Sequence, residues 1–155
     1  MQRRQTQSIR ELRWLFLLGI VSLIGYWVSH SIFVAANGLH WYWVETATTE
    51  PMWERGLMGR ASMASNQGML FIFPDERVVS FWMKDTLMPL DMIFLNAQKQ
   101  VVSVLANTQP CLNQAAQTCP IFQADQPIKY VLELKAGETK EKQILAGAQA
   151  YWFLY

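Results

Sequence analysis

The sequence predicts a mainly β protein: a compact single-domain β-barrel or sandwich with two short helices, preceded by one N-terminal transmembrane helix. Three observations carry this expectation. Short apolar runs alternate with turn signals along most of the chain, the mark of many short strands. A stretch of 23 residues near the N-terminus has no charge at all. What remains is about 120 residues, enough for one modest core. Only 16% of the 155 residues are charged, against about a quarter in ordinary soluble domains. Part of that deficit is local to the uncharged stretch.

The N-terminus divides by charge. Residues 1–13 form a basic segment, with Arg3, Arg4, Arg10 and Arg13 against Glu11. Residues 14–36, from Trp14 to Ala36, contain no Asp, Glu, Lys or Arg. As a helix this run would be about 34 Å long, sufficient for a hydrocarbon core of about 30 Å. Positive flanks stay cytoplasmic. The expected protein is therefore a single-pass protein of the inner (cytoplasmic) membrane, with residues 37–155 as a periplasmic, extracytoplasmic domain. Trp14 at one boundary and Trp41, Tyr42 and Trp43 beyond the other suit an aromatic belt. A strand that happens to be aromatic accounts for the second group equally well. A cleaved signal peptide also stays open, because Val34-Ala35-Ala36 offers small residues to a peptidase. Cleavage would release the domain to the periplasm. The apolar run exceeds the usual signal length and favours an anchor. His30 inside the run reads as a neutral side chain snorkelling toward headgroups.

Charge and cysteine usage narrow the function. Residues 37–155 hold nine basic and eleven acidic side chains, so the domain lacks the positive surface that nucleic-acid binding requires. Cys111 and Cys119 are the only cysteines. An even pair outside the cytoplasm is expected to form a disulfide. A metal pair is the weaker reading, since no histidine or further cysteine lies nearby.

Strand signals follow in order. Trp41–Ala47 alternates, with Trp41, Trp43 and Glu45 on one face and Tyr42, Val44 and Thr46 on the other. Thr48, Thr49, Glu50 and Pro51 open a helix expected to run from Glu50 to Met58 and to end at Gly59. Gly68–Phe73 is a continuous apolar run stopped by Pro74, the pattern of a strand buried on both faces. Further strands are expected at Val78–Lys84, Leu90–Leu95, Val101–Leu105, Tyr130–Leu134 and Ala150–Leu154. Thr139 would cap a short helix over Lys140–Leu145.

Five blocks occur together: Arg55-Gly56-Leu57-Met58-Gly59-Arg60, Gly68-Met69-Leu70-Phe71-Ile72-Phe73-Pro74, Phe81-Trp82-Met83-Lys84-Asp85-Thr86-Leu87-Met88-Pro89-Leu90-Asp91, Cys119-Pro120 and Tyr130-Val131-Leu132-Glu133-Leu134-Lys135-Ala136-Gly137. In this order the chain resembles the uncharacterised bacterial and archaeal family named domain of unknown function 192, over residues 41–155. The resemblance implies one compact β-rich domain behind a signal peptide or anchor, and it brings no established reaction. Two positions depart from the family pattern. Asp85 stands where Asn is usual, and Gly147-Ala148 where Gly-Asp is common. A ligand that depends on those two side chains would be held differently here.

Catalysis by histidine is nearly excluded, because His40 is the only histidine after residue 36. Gly56, Gly59 and Gly68 lack phosphate-loop spacing, and no cofactor is expected. Seven methionines between Met52 and Met92 could offer soft ligands to copper(I), but read better as core filling. The remaining polar candidates are Arg55, Arg60, Lys84, Asp85 and Asp91, with Trp82 as a stacking face. One account pairs Lys84 or an arginine with Asp91 as a structural bridge. The other makes these residues a pocket for an anionic group. The favoured function is an envelope module binding a small anionic ligand or a protein partner. The alternative is a hydrolase or transferase using Lys84 with Asp85 and Asp91 on an envelope substrate. A reporter active only in the cytoplasm, fused after Tyr155, is expected to stay dark, and a bright signal would sink this topology.

Overall fold

Side-chain alternation builds one curled sheet with apolar clusters on both faces. The computed structural model describes residues 31–38, 40–112 and 118–153. Its elements are β1 (Ser31–Ala36), β2 (His40–Ala47), α1 (Glu50–Arg55), β3 (Gln67–Arg77), β4 (Leu90–Leu95), β5 (Val101–Thr108), β6 (Ile128–Lys135), α2 (Glu138–Glu141) and β7 (Ala150–Tyr151). The strand order is β5-β4-β6-β3-β2-β1-β7. β2 and β3 run parallel, joined through α1, whereas β3–β6, β6–β4, β4–β5 and β1–β7 are antiparallel. The architecture is a mainly β half-barrel with two short helices. At one end its outermost strands meet: Gln100 and Gln149 form a bridge, and Val101 N–H donates to the Ala148 carbonyl at 2.8 Å.

One face carries Met69, Phe71, Leu90, Met92, Phe94 and Val131, and α1 with the segment 79–86 covers it. The other carries Val44, Leu70, Ile93, Leu95, Leu132, Leu134 and Trp152. Buried aromatic and aliphatic side chains of this size each contribute about 1.5–3 kcal/mol. Gly68 sits where β3 is squeezed between its neighbours. A Cβ there would lie 2.5 Å from the Glu133 carbonyl oxygen and 3.2 Å from Val44 Cγ1.

The structure corrects several expected boundaries. The expected strand Val78–Lys84 is not a ladder strand; it makes isolated bridges, Phe81 with Phe122 and Lys84 with Cys111. β3 continues past Pro74 to Arg77, because a register shift between Ile72 and Arg77 accommodates the missing N–H. α1 ends at Arg55 instead of Met58: Gly56 takes φ 44°, a conformation that favours glycine, and leaves the helix. α2 begins at Glu138 behind Gly137, not at Lys140. β7 stops at Tyr151. β1 occupies the last six residues of the uncharged 14–36 run. Residues 1–30, to which the anchor, signal-peptide and His30 expectations belong, lie outside the described residues. Among the described residues no helix is long and apolar enough to cross a membrane. Of the aromatic cluster, Tyr42 is buried while Trp41 and Trp43 are exposed.

Asp91 is fully buried and points away from the face that α1 covers, since its strand neighbours Leu90 and Met92 belong to that face. Its Oδ1 accepts the Asn107 N–H at 2.8 Å. Its Oδ2 accepts the N–H groups of Gly137 at 3.0 Å and Thr139 at 2.9 Å, and the Thr139 hydroxyl at 2.7 Å. Asp91→Ala would strand these donors, and hydrogen bonds to a charged group are worth about 1.5–3 kcal/mol each. Urea denaturation is expected to show a loss of about 3 kcal/mol or more, with Asp91→Asn losing less. A loss below about 1 kcal/mol for the alanine variant would refute this role.

Candidate functional site

The covered face leaves a cavity of about 270 Å³ between α1, β3, β6 and the segment 79–86. Aromatic rings form its walls. Trp53, on α1, is fixed by its indole N–H donating to the Ala47 carbonyl at 2.9 Å and lies 5.0 Å from the Phe73 ring. Phe81 stands edge-on to Phe71 at 5.1 Å. Segment 79–86 hangs on the disulfide loop. Phe81 and Phe122 exchange backbone hydrogen bonds at 2.8 and 2.9 Å, and Cys111 N–H donates to the Met83 carbonyl at 3.0 Å. Cys111 and Cys119 are joined as a disulfide, as expected from the sequence. Phe81 and Met83 turn into the core and leave Trp82, 37% exposed, and Lys84 outward, the alternation expected of an extended segment.

Glu133 lies on the cavity floor and is 4% exposed. It pairs in register with Met69 of β3 and Met92 of β4, so thioether side chains flank it on the same face. Among the described residues its carboxyl has no hydrogen-bond or ion-pair partner. Burial alone pushes its pKa up to about 8, from an ordinary 4.5. The group is a neutral acid at pH 7, able to donate or to accept a hydrogen bond. The sequence reading passed over it. Its signal was a lone carboxylate in the apolar run Tyr130–Leu134, where a charge is costly.

Of the six candidates read from sequence, Trp82, Lys84 and Arg55 line this cavity, together with Glu50 and Glu54. Asp85 is not a lining residue but pairs with Lys84 at 3.1 Å. Arg60 pairs with Glu45 at 2.7 Å and does not line the cavity. Asp91 belongs to the opposite face, so the expected Lys84–Asp91 bridge and an Asp85–Asp91 acid pair in one cleft are both corrected. Asp85 has φ 53°, a left-handed conformation that Asn and Asp tolerate best. Its carbonyl accepts the Gly59 N–H at 2.8 Å. Asp in place of the expected Asn is therefore compatible with this backbone conformation. Met63, Met69, Met83, Met88 and Met92 are buried in the core cluster. A larger, shallower hollow of about 550 Å³ beside Cys111 and Phe122 has no charged side chain among its described lining residues. Among the described residues no group of three or more His, Cys, Asp or Glu is placed to hold a metal ion.

Fold and cavity define a small half-barrel domain with a buried acid in an aromatic pocket. Residues 32–152 match the family described as "Uncharacterized ACR", domain of unknown function 192, and the chain belongs to that family. No curated protein matches it. It is similar to a crystal structure of a protein from Sinorhizobium meliloti 1021, described as a candidate transcription regulator. That pair shares 33% identity, with 79% of this chain and 93% of that chain covered and a TM-score of 0.72. It is also similar to a protein of unknown function from Novosphingobium aromaticivorans DSM 12444. There the identity is 28%, the coverage 79% and 84%, and the TM-score 0.69.

Glu133 makes stability depend on pH. Between the unfolded value of 4.5 and the folded value of about 8, the folded state holds a proton that the unfolded state has lost. Stability contributed by this residue is therefore full below pH 4.5, falls as pH rises, and levels off above about 8. Glu133→Gln is expected to gain more stability over wild type at pH 8 than at pH 5, by on the order of a few kcal/mol. Equal differences at the two pH values would show that the acid is not held neutral.

Proposed function

We propose that this chain is a membrane-tethered envelope module that binds a small anionic ligand in the cavity above Glu133. Trp82 offers the stacking face, and Arg55 and Lys84 at the mouth hold the anionic group. The observation that carries the reading is a buried carboxyl that has no partner among the described residues and opens into a ring-walled cavity. Interiors ordinarily satisfy such groups, and those left open mark places where something else supplies the partner. Because the acid is neutral at pH 7, it does not repel an anion. The tether would be residues 14–30, near the lower limit of about 17 residues for a span. Exposed Phe33, Trp41 and Trp43 just after it supply interfacial aromatic side chains in support. The role named for the Sinorhizobium neighbour is not adopted, since residues 37–155 carry more acidic than basic side chains.

A second reading, a hydrolase or transferase acting on an envelope substrate, is favoured by one feature. A carboxylic acid held neutral in an apolar pocket is poised as a general acid. It would leave binding intact and turnover abolished in Glu133→Gln.

The test is a thermal-shift screen of the full-length chain in detergent against envelope metabolites and glycans. A ligand at a hundredfold its dissociation constant stabilises by about 2.7 kcal/mol. Trp82→Ala and Arg55→Ala are expected to fold within about 1 kcal/mol of wild type and to show a weakened response, as exposed sites do when only a ligand contact is removed. Folded variants that keep the full response would move the site elsewhere.

A further inference from the structure

Two complementary groups line one cavity without a partner among the described residues. There Glu133 on the floor makes no hydrogen bond or ion pair, and Arg55 at the mouth forms no ion pair. We propose that the cavity takes a zwitterion of the amino-acid type, its primary ammonium on Glu133, its apolar body between the rings, and its carboxylate toward Arg55 and Lys84. This rests on the reading of the cavity as a small-ligand site and names the ligand class.

The chemistry at the floor selects the amine. Met69 and Met92 flank Glu133 and offer no donor. A primary ammonium brings three donors to the carboxylate, whereas a quaternary ammonium brings none. The rings of Trp53, Phe71 and Phe81 line the same cavity and would pack the apolar body of the ligand. At the mouth, where Glu50 and Glu54 also line the cavity, a carboxylate finds its partners in the Arg55 guanidinium, which forms no ion pair among the described residues, and in Lys84.

Binding then moves one proton. Glu133 is a neutral acid in the empty cavity and a carboxylate beneath the ammonium. Its proton goes to solvent while the ammonium keeps its own three, and no other bond changes. The charged groups facing this cavity are Glu50, Glu54 and Arg55 from α1 and Lys84, paired with Asp85, from segment 79–86. β3 and β4 present methionines beside the carboxyl. Affinity should rise about tenfold per pH unit between pH 6 and 8, then level off.

Calorimetry on the full-length chain in detergent tests this with three probes sharing one phenyl body: L-phenylalanine, phenethylamine and 3-phenylpropionate. At pH 7, titrations in two buffers of different ionisation enthalpy should show about one proton released per phenylalanine or phenethylamine bound, and none for phenylpropionate. Glu133→Gln should weaken both amines at least tenfold and leave phenylpropionate unchanged. Phenylalanine should bind more tightly than phenethylamine, and Arg55→Ala should erase that difference. Binding of phenylpropionate alone, or amine binding without proton release, overturns the ammonium inference and leaves the small-ligand reading standing. No binding by any probe overturns both. If the glutamine variant fails to fold, proton release by the wild type decides the matter alone.

Discussion

The carboxylate of Asp91 is the interaction on which the sheet's geometry turns. β5 holds an extra residue opposite β4, since Leu90 pairs with Thr108 but Met92 with Leu105. Such a bulge orphans a backbone N–H, and Asp91 takes the one from Asn107. The same carboxylate collects the donors at the turn from β6 into α2. One buried charge therefore fixes the curl of the β4–β5 pair and the exit of β6 together. A buried anion is tolerable only when its lone pairs are filled this completely.

With β4 and β6 held in register, Glu133 is held opposite Met92. The two carboxyls in this part of the sheet consequently have opposite lives. Asp91 sits on the face where N–H groups converge and is an acceptor hub. Glu133, on the other face, meets thioethers and rings and remains a protonated acid. Strand alternation assigns the faces, and the environment of each face assigns the chemistry.

Much of the fold was legible because it follows local rules. The alternation of Tyr42, Val44 and Thr46, the apolar runs Gly68–Phe73 and Leu90–Leu95, and the cysteine pair all mean in the structure what they mean in the sequence. The misses have non-local causes. Val78–Lys84 has strand composition, but its backbone partners come from the disulfide loop, and one sequence window cannot show that. Ser31–Ala36 looks like the tail of an apolar helix until β7 supplies its pairing. Trp82, Lys84 and Arg55 could be picked out as charge and aromatic neighbours. Asp91 could be noticed but not assigned a face against Lys84. Glu133 needed the sheet order, since only β3 and β4 beside it reveal that nothing there donates.

The disulfide has a consequence for how firmly the cavity holds its shape. The wall that carries Trp82 and Lys84 is not woven into the sheet; it leans on residues around Cys111 and Phe122 at two points. The covalent link between Cys111 and Cys119 holds that buttress together. Phe81 and Met83 belong to the same apolar cluster as both cysteines, so reduction would loosen the buttress and the packing beneath the wall together. A chain still in a reducing compartment would therefore offer a ligand a less firmly shaped place than the oxidised one.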